Sequence, residues 1–235
     1  MVVKSLWIGE KLTRMENACI KSWINSGYEF HLFSYYKIEN VPKKCIVRDA
    51  REILPESKIF KYNLPENKGG GSYSGFSNIF RYNMLKHEGG LWVDTDVYCV
   101  KPIPDFEYLF VQEYNIVASC ILKSPKNSLF SNFCCDICDS KDLSNITWGE
   151  TGPMLVNSVV NDLKLNFHVQ KSDLYFPVMY KNINDFFIDQ KIPDVYTIHF
   201  WNETWRRQGK NKNVVYQSNT LYERLISNAI CSRIF

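Results

Sequence analysis

Residues 76–102 read FSNIFRYNMLKHEGGLWVDTDVYCVKP. Ile79, Phe80, Asn83, Met84 and His87 recur at three- and four-residue steps, which predicts an amphipathic helix. Gly89-Gly90 stops it, because glycine accepts the left-handed conformation that a helix end requires. Leu91, Trp92 and Val93 then form a short apolar strand, and Val97 to Val100 is extended again. Between them stand Asp94 and Asp96, separated only by Thr95. In open α/β sheets ligands collect at the carboxyl ends of strands. Two carboxylates there repel each other, and burial raises the cost. A hard divalent cation relieves both problems, since Mg²⁺ or Mn²⁺ combines carboxylate oxygen with phosphate oxygen. Strand alternation points Asp94 and Asp96 to one side, so one holds metal while the other meets the metal or a sugar hydroxyl. A bare Asp-Thr-Asp is more often a solvated turn; the surrounding order distinguishes the two.

The ordered pattern F-S-N-x-x-R-Y-x-x-L, then G-G-L-W-V-D-T-D-V, then K-P resembles the DXD-containing sugar-binding region of glycosyltransferase family 32, whose relatives include capsule, lipopolysaccharide and toxin enzymes. The resemblance implies an α/β chain of GT-A fold, a Rossmann-like nucleotide-binding domain with a mixed central sheet flanked by helices. It implies retaining, metal-dependent transfer from a nucleotide-sugar. On it, Asp94 and Asp96 are metal ligands, Trp92 and Thr95 flank them at the donor, and Arg81 with Ser77 binds the donor sugar. Arginine pairs with carboxylate or phosphate in a rigid fork. The family usually carries Ser-Asp ahead of this arginine, and here Ser77-Asn78 stands instead. Asn78 still bonds sugar hydroxyls as donor and acceptor, but it carries no charge. The departure bears on donor identity more than on chemistry.

The flanking chain fits a nucleotide-binding sheet. Val2 to Ile8 reads as a buried strand, 13–25 as a helix with Met15, Cys19, Ile20 and Trp23 on one face, and Glu29 to Tyr35 as a second strand. Strand–helix–strand is the opening of a parallel sheet. Trp7 ends the first strand, where the switch point places a nucleotide. The family's W-x-G there, Trp7-Ile8-Gly9 in this chain, implies a base stacked on the indole; a core tryptophan is the other reading. A short helix is expected over 49–54 and a mobile loop over 58–73, most flexible at Gly69-Gly70-Gly71. No lysine follows at P-loop spacing.

Further on, strands are expected over 108–112 and 116–122, and a helix over 127–140. That helix carries Cys134, Cys135 and Cys138, which read as core thiols because no second C-x-x-C completes a zinc site. Trp148 to Pro153 opens a helix through Leu163. The family's T-G-P implies an acceptor-side role for Glu150 or Thr151, while ordinary capping explains the same residues. Residues 168–177 read as strand and turn, and 196–201 as a last strand. His199 ends it, and imidazole serves Mn²⁺ beside carboxylates. The family's closing segment implies His199 as third metal ligand, with Asn202 and Trp205 on the diphosphate or metal shell. Arg206, Arg207, Lys210 and Lys212 form a basic tail for diphosphate or anionic lipid. Residues 220–232 read as a closing helix striped by Leu221, Leu225, Ile226 and Ile230.

A chain of 235 residues suits one α/β domain, with 1–104 as its nucleotide-binding part and 105–235 facing the acceptor. A net charge of +3 is too small to argue for nucleic acid, so no nucleic-acid partner is expected. Eight cysteines at irregular spacing without a signal peptide favour reduced thiols in the cytoplasm. The apolar run in MVVKSLWIGE is too short to span a membrane, so a lipid-linked acceptor implies peripheral contact at the inner membrane face. The expected function is transfer of a hexose from a UDP-sugar to a glycan or glycolipid, dependent on Mn²⁺ (or Mg²⁺), with Arg81, Asp94, Asp96 and Glu150 as catalytic candidates. No nucleophile or base stands out; the family's retention fits attack from the leaving-group side, with the departing phosphate taking the proton. The alternatives are an inactive nucleotide-sugar or glycan-binding module of the same fold and a sugar-1-phosphate nucleotidyltransferase. The latter needs a glycine-rich, basic first turn that Trp7-Ile8-Gly9-Glu10 does not supply. A two-metal nuclease needs more clustered carboxylates.

Overall fold

The computed structural model describes residues 1–231. Its first half is β1 (Val2–Trp7), α1 (Arg14–Asn25), β2 (Glu29–Ser34), β3 (Cys45–Asp49), α2 (Ser74–Glu88), β4 (Gly90–Val93) and β5 (Val97–Cys99). Then come β6 (Phe110–Glu113), β7 (Ile116–Val117), β8 (Ile121–Ser124), α3 (Leu129–Asp139), α4 (Pro153–Asp162), β9 (Val169–Gln170), β10 (Thr197–His199), α5 (Asn202–Arg207) and α6 (Leu221–Cys231). The central sheet runs β3-β2-β1-β4-β8. β1, β2, β3 and β4 are mutually parallel, and β8 closes the edge antiparallel to β4. The chain steps outward from β1 to β3, then returns to β1's other side with β4. That reversal opens a crevice between the carboxyl ends of β1 and β4, the switch point at which such sheets bind nucleotides. This is a GT-A fold.

α1 starts where Thr13 and Glu16 form a reciprocal capping box, satisfying two orphan amides. Met15, Cys19, Ile20 and Trp23 are all buried. α2 ends at Gly89 with φ of 65°, as its glycines predict. Its burial is wider than one stripe: Phe76, Phe80, Tyr82, Met84 and Leu85 are all fully buried, while His87 is exposed and Asn83 half-buried. The helix is sandwiched between the sheet and α3, so no broad face meets water. Lys4, buried in β1, donates to the Gly89 carbonyl at 2.9 Å and pairs with Glu88, which fixes where α2 hands over to β4.

Several expectations are corrected. β3 was not anticipated; it is an edge strand with Ile46 and Val47 exposed, so it lacks the alternation that marks a half-buried strand. The expected helix over 49–54 is a single 3-10 turn, Ala50–Glu52. The triglycine segment is packed, not loose: Gly69 and Gly70 are buried, and amides of Gly70 and Gly71 donate to Pro65 and Tyr62 carbonyls. The strand expected over 116–122 is two, β7 and β8, and 168–177 keeps only the two-residue β9. In α6, Leu221, Leu225 and Ile226 are buried but Ile230 is exposed, its expected place taken by Tyr222 and Ala229. The expected end of that helix at Ser232 lies outside the described residues. Among the described residues no helix is long and apolar enough to cross a membrane. Cys134, Cys135 and Cys138 are free and buried, and burial pushes their thiols up.

Candidate active site

A cavity of about 690 Å³ opens at the β1/β4 switch point. Its floor is assembled by two strand ends. β4 stops at Val93 and delivers Asp94; β5 begins at Val97 and pairs antiparallel with β10, His199 opposite Val97. The Phe200 amide donates to the Asp96 carbonyl at 2.9 Å, so the far end of the chain closes onto the carboxylate pair. His199 Nε2 then lies 3.2 Å from Asp96 Oδ2, and the Asn202 amide donates to the same oxygen at 2.8 Å. Asp94 Oδ1 accepts from Arg81 Nη2 at 2.7 Å and from Trp92 Nε1 at 2.8 Å.

These partners set the charges. Burial raises Asp94, against the pull of Arg81. Burial also presses Asp96 upward, but His199 and the Asn202 amide outweigh it and hold the carboxyl at about 2. Burial alone lowers His199; its neighbours Cys120 and Asp96 win and keep the imidazole well above its usual range. Among the described residues no three His, Cys, Asp or Glu side chains are placed to hold a metal ion unaided. Of the expected ligand set Asp94, Asp96 and His199, the structure holds His199 Nε2 against Asp96, 3.2 Å from Oδ2. The remaining donor set still fits a hard cation. Asp94 Oδ2 and Asp96 Oδ1 take no hydrogen bond from a described residue, and Mg²⁺ or Mn²⁺ is commonly held by one or two carboxylates completed by substrate phosphate.

The walls gather most of the other anticipated residues. Trp7, Ile8, Ser77, Asn78, Arg81, Trp92, Thr95 and Asn202 all line the cavity. Trp7 Nε1 is buried without a hydrogen-bond partner. Gly9 is outside the wall, with φ of +155°; a Cβ there would stand 3.2 Å from Trp7 Nε1, so its part is to leave the indole room. Asn78 is buried and donates to Thr151 Oγ1 at 3.4 Å.

Two anticipated residues are elsewhere. Glu150 does not line the cavity: its carboxylate pairs with Lys141 at 2.7 Å and accepts from the Thr147 amide and hydroxyl. It holds the turn before α4, which is the capping reading of this segment; Thr151, fully buried, accepts from Tyr82 through its carbonyl. Trp205 is 1% exposed, packed among Phe186, Phe187, Phe200, Tyr216 and Tyr222. It anchors α5 to the core and does not line the cavity. In the basic tail, Arg206 and Arg207 pair with Glu203, and Lys212 pairs with Glu16; Arg207 alone of these reaches the cavity wall.

Residues 13–117 match the family model described as "Glycosyltransferase sugar-binding region containing DXD motif", and residues 140–235 match "Alpha 1,4-glycosyltransferase conserved region". In both segments the chain is similar to DXD-containing glycosyltransferases. Human alpha-1,4-N-acetylglucosaminyltransferase is 24% identical to it over 154 residues, 58% of this chain and 44% of the human protein. The match thus spans less than half of that relative. A solved structure described as "PaToxG Glycosyltransferase" superposes with a TM-score of 0.51 at 12% identity, covering 97% of this chain and 84% of the other; at that identity the likeness concerns fold alone.

The cavity carries further wall residues that the sequence did not disclose. Trp201, at the start of α5, has φ of 59°, a conformation rare for a bulky residue and associated with functional sites. Its ring lies 3.9 Å from that of His199, and its Nε1 donates to the Val178 carbonyl at 2.7 Å. Tyr62, Glu113, Trp148, Met154 and Tyr180 also line the cavity. They come from four separate segments, Trp148 and Met154 sharing the turn and start of α4, and only isolated aromatic, acidic or apolar character marked them. The arrangement offers an aromatic-walled, partly buried space with acid, arginine and imidazole at its floor, suited to a charged, hydroxyl-rich ligand.

Proposed function

We propose that this chain transfers a hexose from a UDP-sugar to a hydroxyl of a glycan or glycolipid, with retention and with Mn²⁺ (or Mg²⁺) bound. The observation that carries the reading is the Asp94–Asp96 pair on the cavity floor, each carboxylate secured through one oxygen and free of hydrogen bonds at the other. Residues 1–104 supply most of the donor side of this one domain, and 105–235 the acceptor side together with His199.

In this reading Trp7 offers its indole face and its unpartnered Nε1 to the base. Asp94 and Asp96 hold the cation, whose chemistry when bound is to stabilise charge on the departing diphosphate. Arg81 fixes the orientation of Asp94, so the carboxylate needs no reorganisation as charge develops. His199 and the Asn202 amide do the same for Asp96. Asn78 and Ser77 take hydroxyls of the donor sugar. The acceptor hydroxyl attacks from the leaving-group side and its proton passes to the departing phosphate, which needs no protein base. The chain works in the cytoplasm, touching a membrane only where the acceptor is lipid-linked.

The test is UDP release. Wild-type protein with Mn²⁺ and a panel of UDP-hexoses is expected to release UDP from at least one, and Asp96→Ala to lower the rate by about 10²–10³, the scale of a lost electrostatic stabiliser. Turnover of Asp96→Ala at the wild-type rate, with unchanged metal dependence, would overturn the assignment. The neutral Asn78, where the family has an acid, favours a second reading, a donor-binding module without turnover. Calorimetric binding of UDP with Mn²⁺ and no UDP release from any donor would establish it.

A further inference from the structure

Glu113 is the cavity-facing carboxylate that neither the DXD pair nor the Arg206–Arg207 cluster explains. It ends β6, where the chain turns through Tyr114 into β7. It lines the cavity, and no described residue gives it a hydrogen bond or ion pair. Asp94, Asp96 and Glu203, the other acids of this wall, are all engaged. Burial raises the Glu113 carboxyl, and the charge of His199 works against that rise. A half-buried carboxylate without a partner is costly unless something else donates to it.

Its neighbours say where that donor comes from. Tyr114, next in sequence, has φ of 51° and meets the Tyr180 ring edge-on at 5.3 Å; Tyr180 in turn meets Trp201 at 5.7 Å. Ile116, opposite Glu113 across the hairpin, and Met154 of α4 line the same wall, and Val117 is tied to α4 through Asn157. Met154 is 56% exposed, so this wall leads to the mouth. Trp7 and Ile8 stand on the β1 side. The wall thus combines apolar and aromatic faces with one acceptor-only group, the usual make-up of a sugar subsite, in which rings cover carbohydrate C–H faces and a carboxylate takes hydroxyl protons.

We propose that Glu113 anchors the acceptor sugar, accepting a hydrogen bond from one of its hydroxyls while Tyr180, Ile116 and Met154 cover its apolar face. This rests on the transferase reading above and adds the residue that recognises the acceptor. Glu113 is a binding residue here, with no proton transfer assigned to it.

The experiment is saturation-transfer NMR on the full chain with UDP and Mn²⁺ present, using methyl β-galactoside, methyl β-glucoside and methyl α-mannoside as probes. UDP affinity is measured alongside by calorimetry. Expected is a signal from at least one glycoside that drops at least fivefold in Glu113→Ala, while the Kd for UDP moves less than twofold. Glu113→Gln, whose amide oxygen still accepts, is expected to keep most of the signal, which separates a lost hydrogen bond from misfolding. Equal glycoside signals in wild type and Glu113→Ala overturn the proposal, as does the absence of glycoside binding from a wild-type protein that binds UDP. A wild-type protein that binds no UDP overturns the underlying transferase reading and this proposal with it, and so is a distinct outcome.

Discussion

The Arg81 guanidinium bridges two loops: Nη2 lies 2.7 Å from Asp94 Oδ1, and Nη1 donates to the Ser119 carbonyl at 2.7 Å. Arg81 is 2% exposed and its plane sits over Trp92, 5.2 Å from the ring centre. It therefore couples the end of β4 to the segment before β8. A lysine keeps the charge but cannot span both acceptors. Arg81→Ala is expected to cost roughly 3 kcal/mol, toward the low end for a broken buried pair, because the Asp94 side chain stays 27% exposed. Arg81→Lys should recover part of the stability and little of the UDP–Mn²⁺ affinity. Urea denaturation and calorimetry check both, and a fully stable Arg81→Ala would contradict the bridge.

Trp205 answers to a stability readout and not to donor binding. Trp205 is packed against five aromatic rings, so Trp205→Ala should cost about 3–5 kcal/mol as a large core truncation. Trp205→Phe should cost less and leave the Kd for UDP within twofold. If Trp205→Phe instead kept full stability and lost UDP binding, the indole would be a donor contact after all.

Gly69 lies beneath Trp148 with φ of +101°, and an added Cβ would come 2.1 Å from the indole and 2.7 Å from Arg207 Nη2. Arg207 itself stacks on Trp148 at 4.2 Å. Gly69→Ala should then cost about 2–3 kcal/mol, from left-handed backbone and overpacking together. Gly71, with φ of +77° and nothing within 4 Å, supplies the control: Gly71→Ala carries only the backbone part, about 1 kcal/mol. Thermal melts of the two, with indole fluorescence for Trp148, read the difference; equal melting temperatures would refute the close approach.

The Glu150–Lys141 pair makes a pH-dependent contribution. Its Lys141 partner, with the Thr147 amide, depresses the Glu150 carboxyl to about 2. A depressed carboxylate adds stability that is fully present above its unfolded value near 4.5 and is lost as pH falls through about 2. The pair is partly exposed, so the contribution is about 1 kcal/mol or less. Glu150→Gln should melt below wild type at pH 7 and converge with it near pH 2. A gap of constant size across that range would show that the pair does not titrate as described.

The element pattern around residues 76–102 was readable because its signals are local. A helix period, a Gly-Gly stop and an apolar strand follow from neighbouring side chains, and α2, Gly89 and β4 fall where they indicate. β3 escaped because an edge strand needs no apolar alternation. The packed state of Gly69-Gly70-Gly71 escaped for a related reason: glycine signals both freedom and close approach, and only Trp148, Arg207 and the Leu64 carbonyl decide between them. Glu150 and Trp205 had been assigned by position in a motif, yet Lys141 claims one and a cluster of aromatic rings claims the other.

Local order in the chain was enough to establish the α/β class, the strand end that carries Asp94 and Asp96, and the resemblance to DXD-containing glycosyltransferases, since those depend on residues within one or two turns of each other. The tertiary structure decided what the carboxylates touch. Asp96 meets His199 because β10 pairs with β5 across about a hundred residues, and Glu113 faces the cavity because a separate three-stranded sheet turns it there. Contacts of that range depend on strand register and helix packing, which no short window of sequence contains.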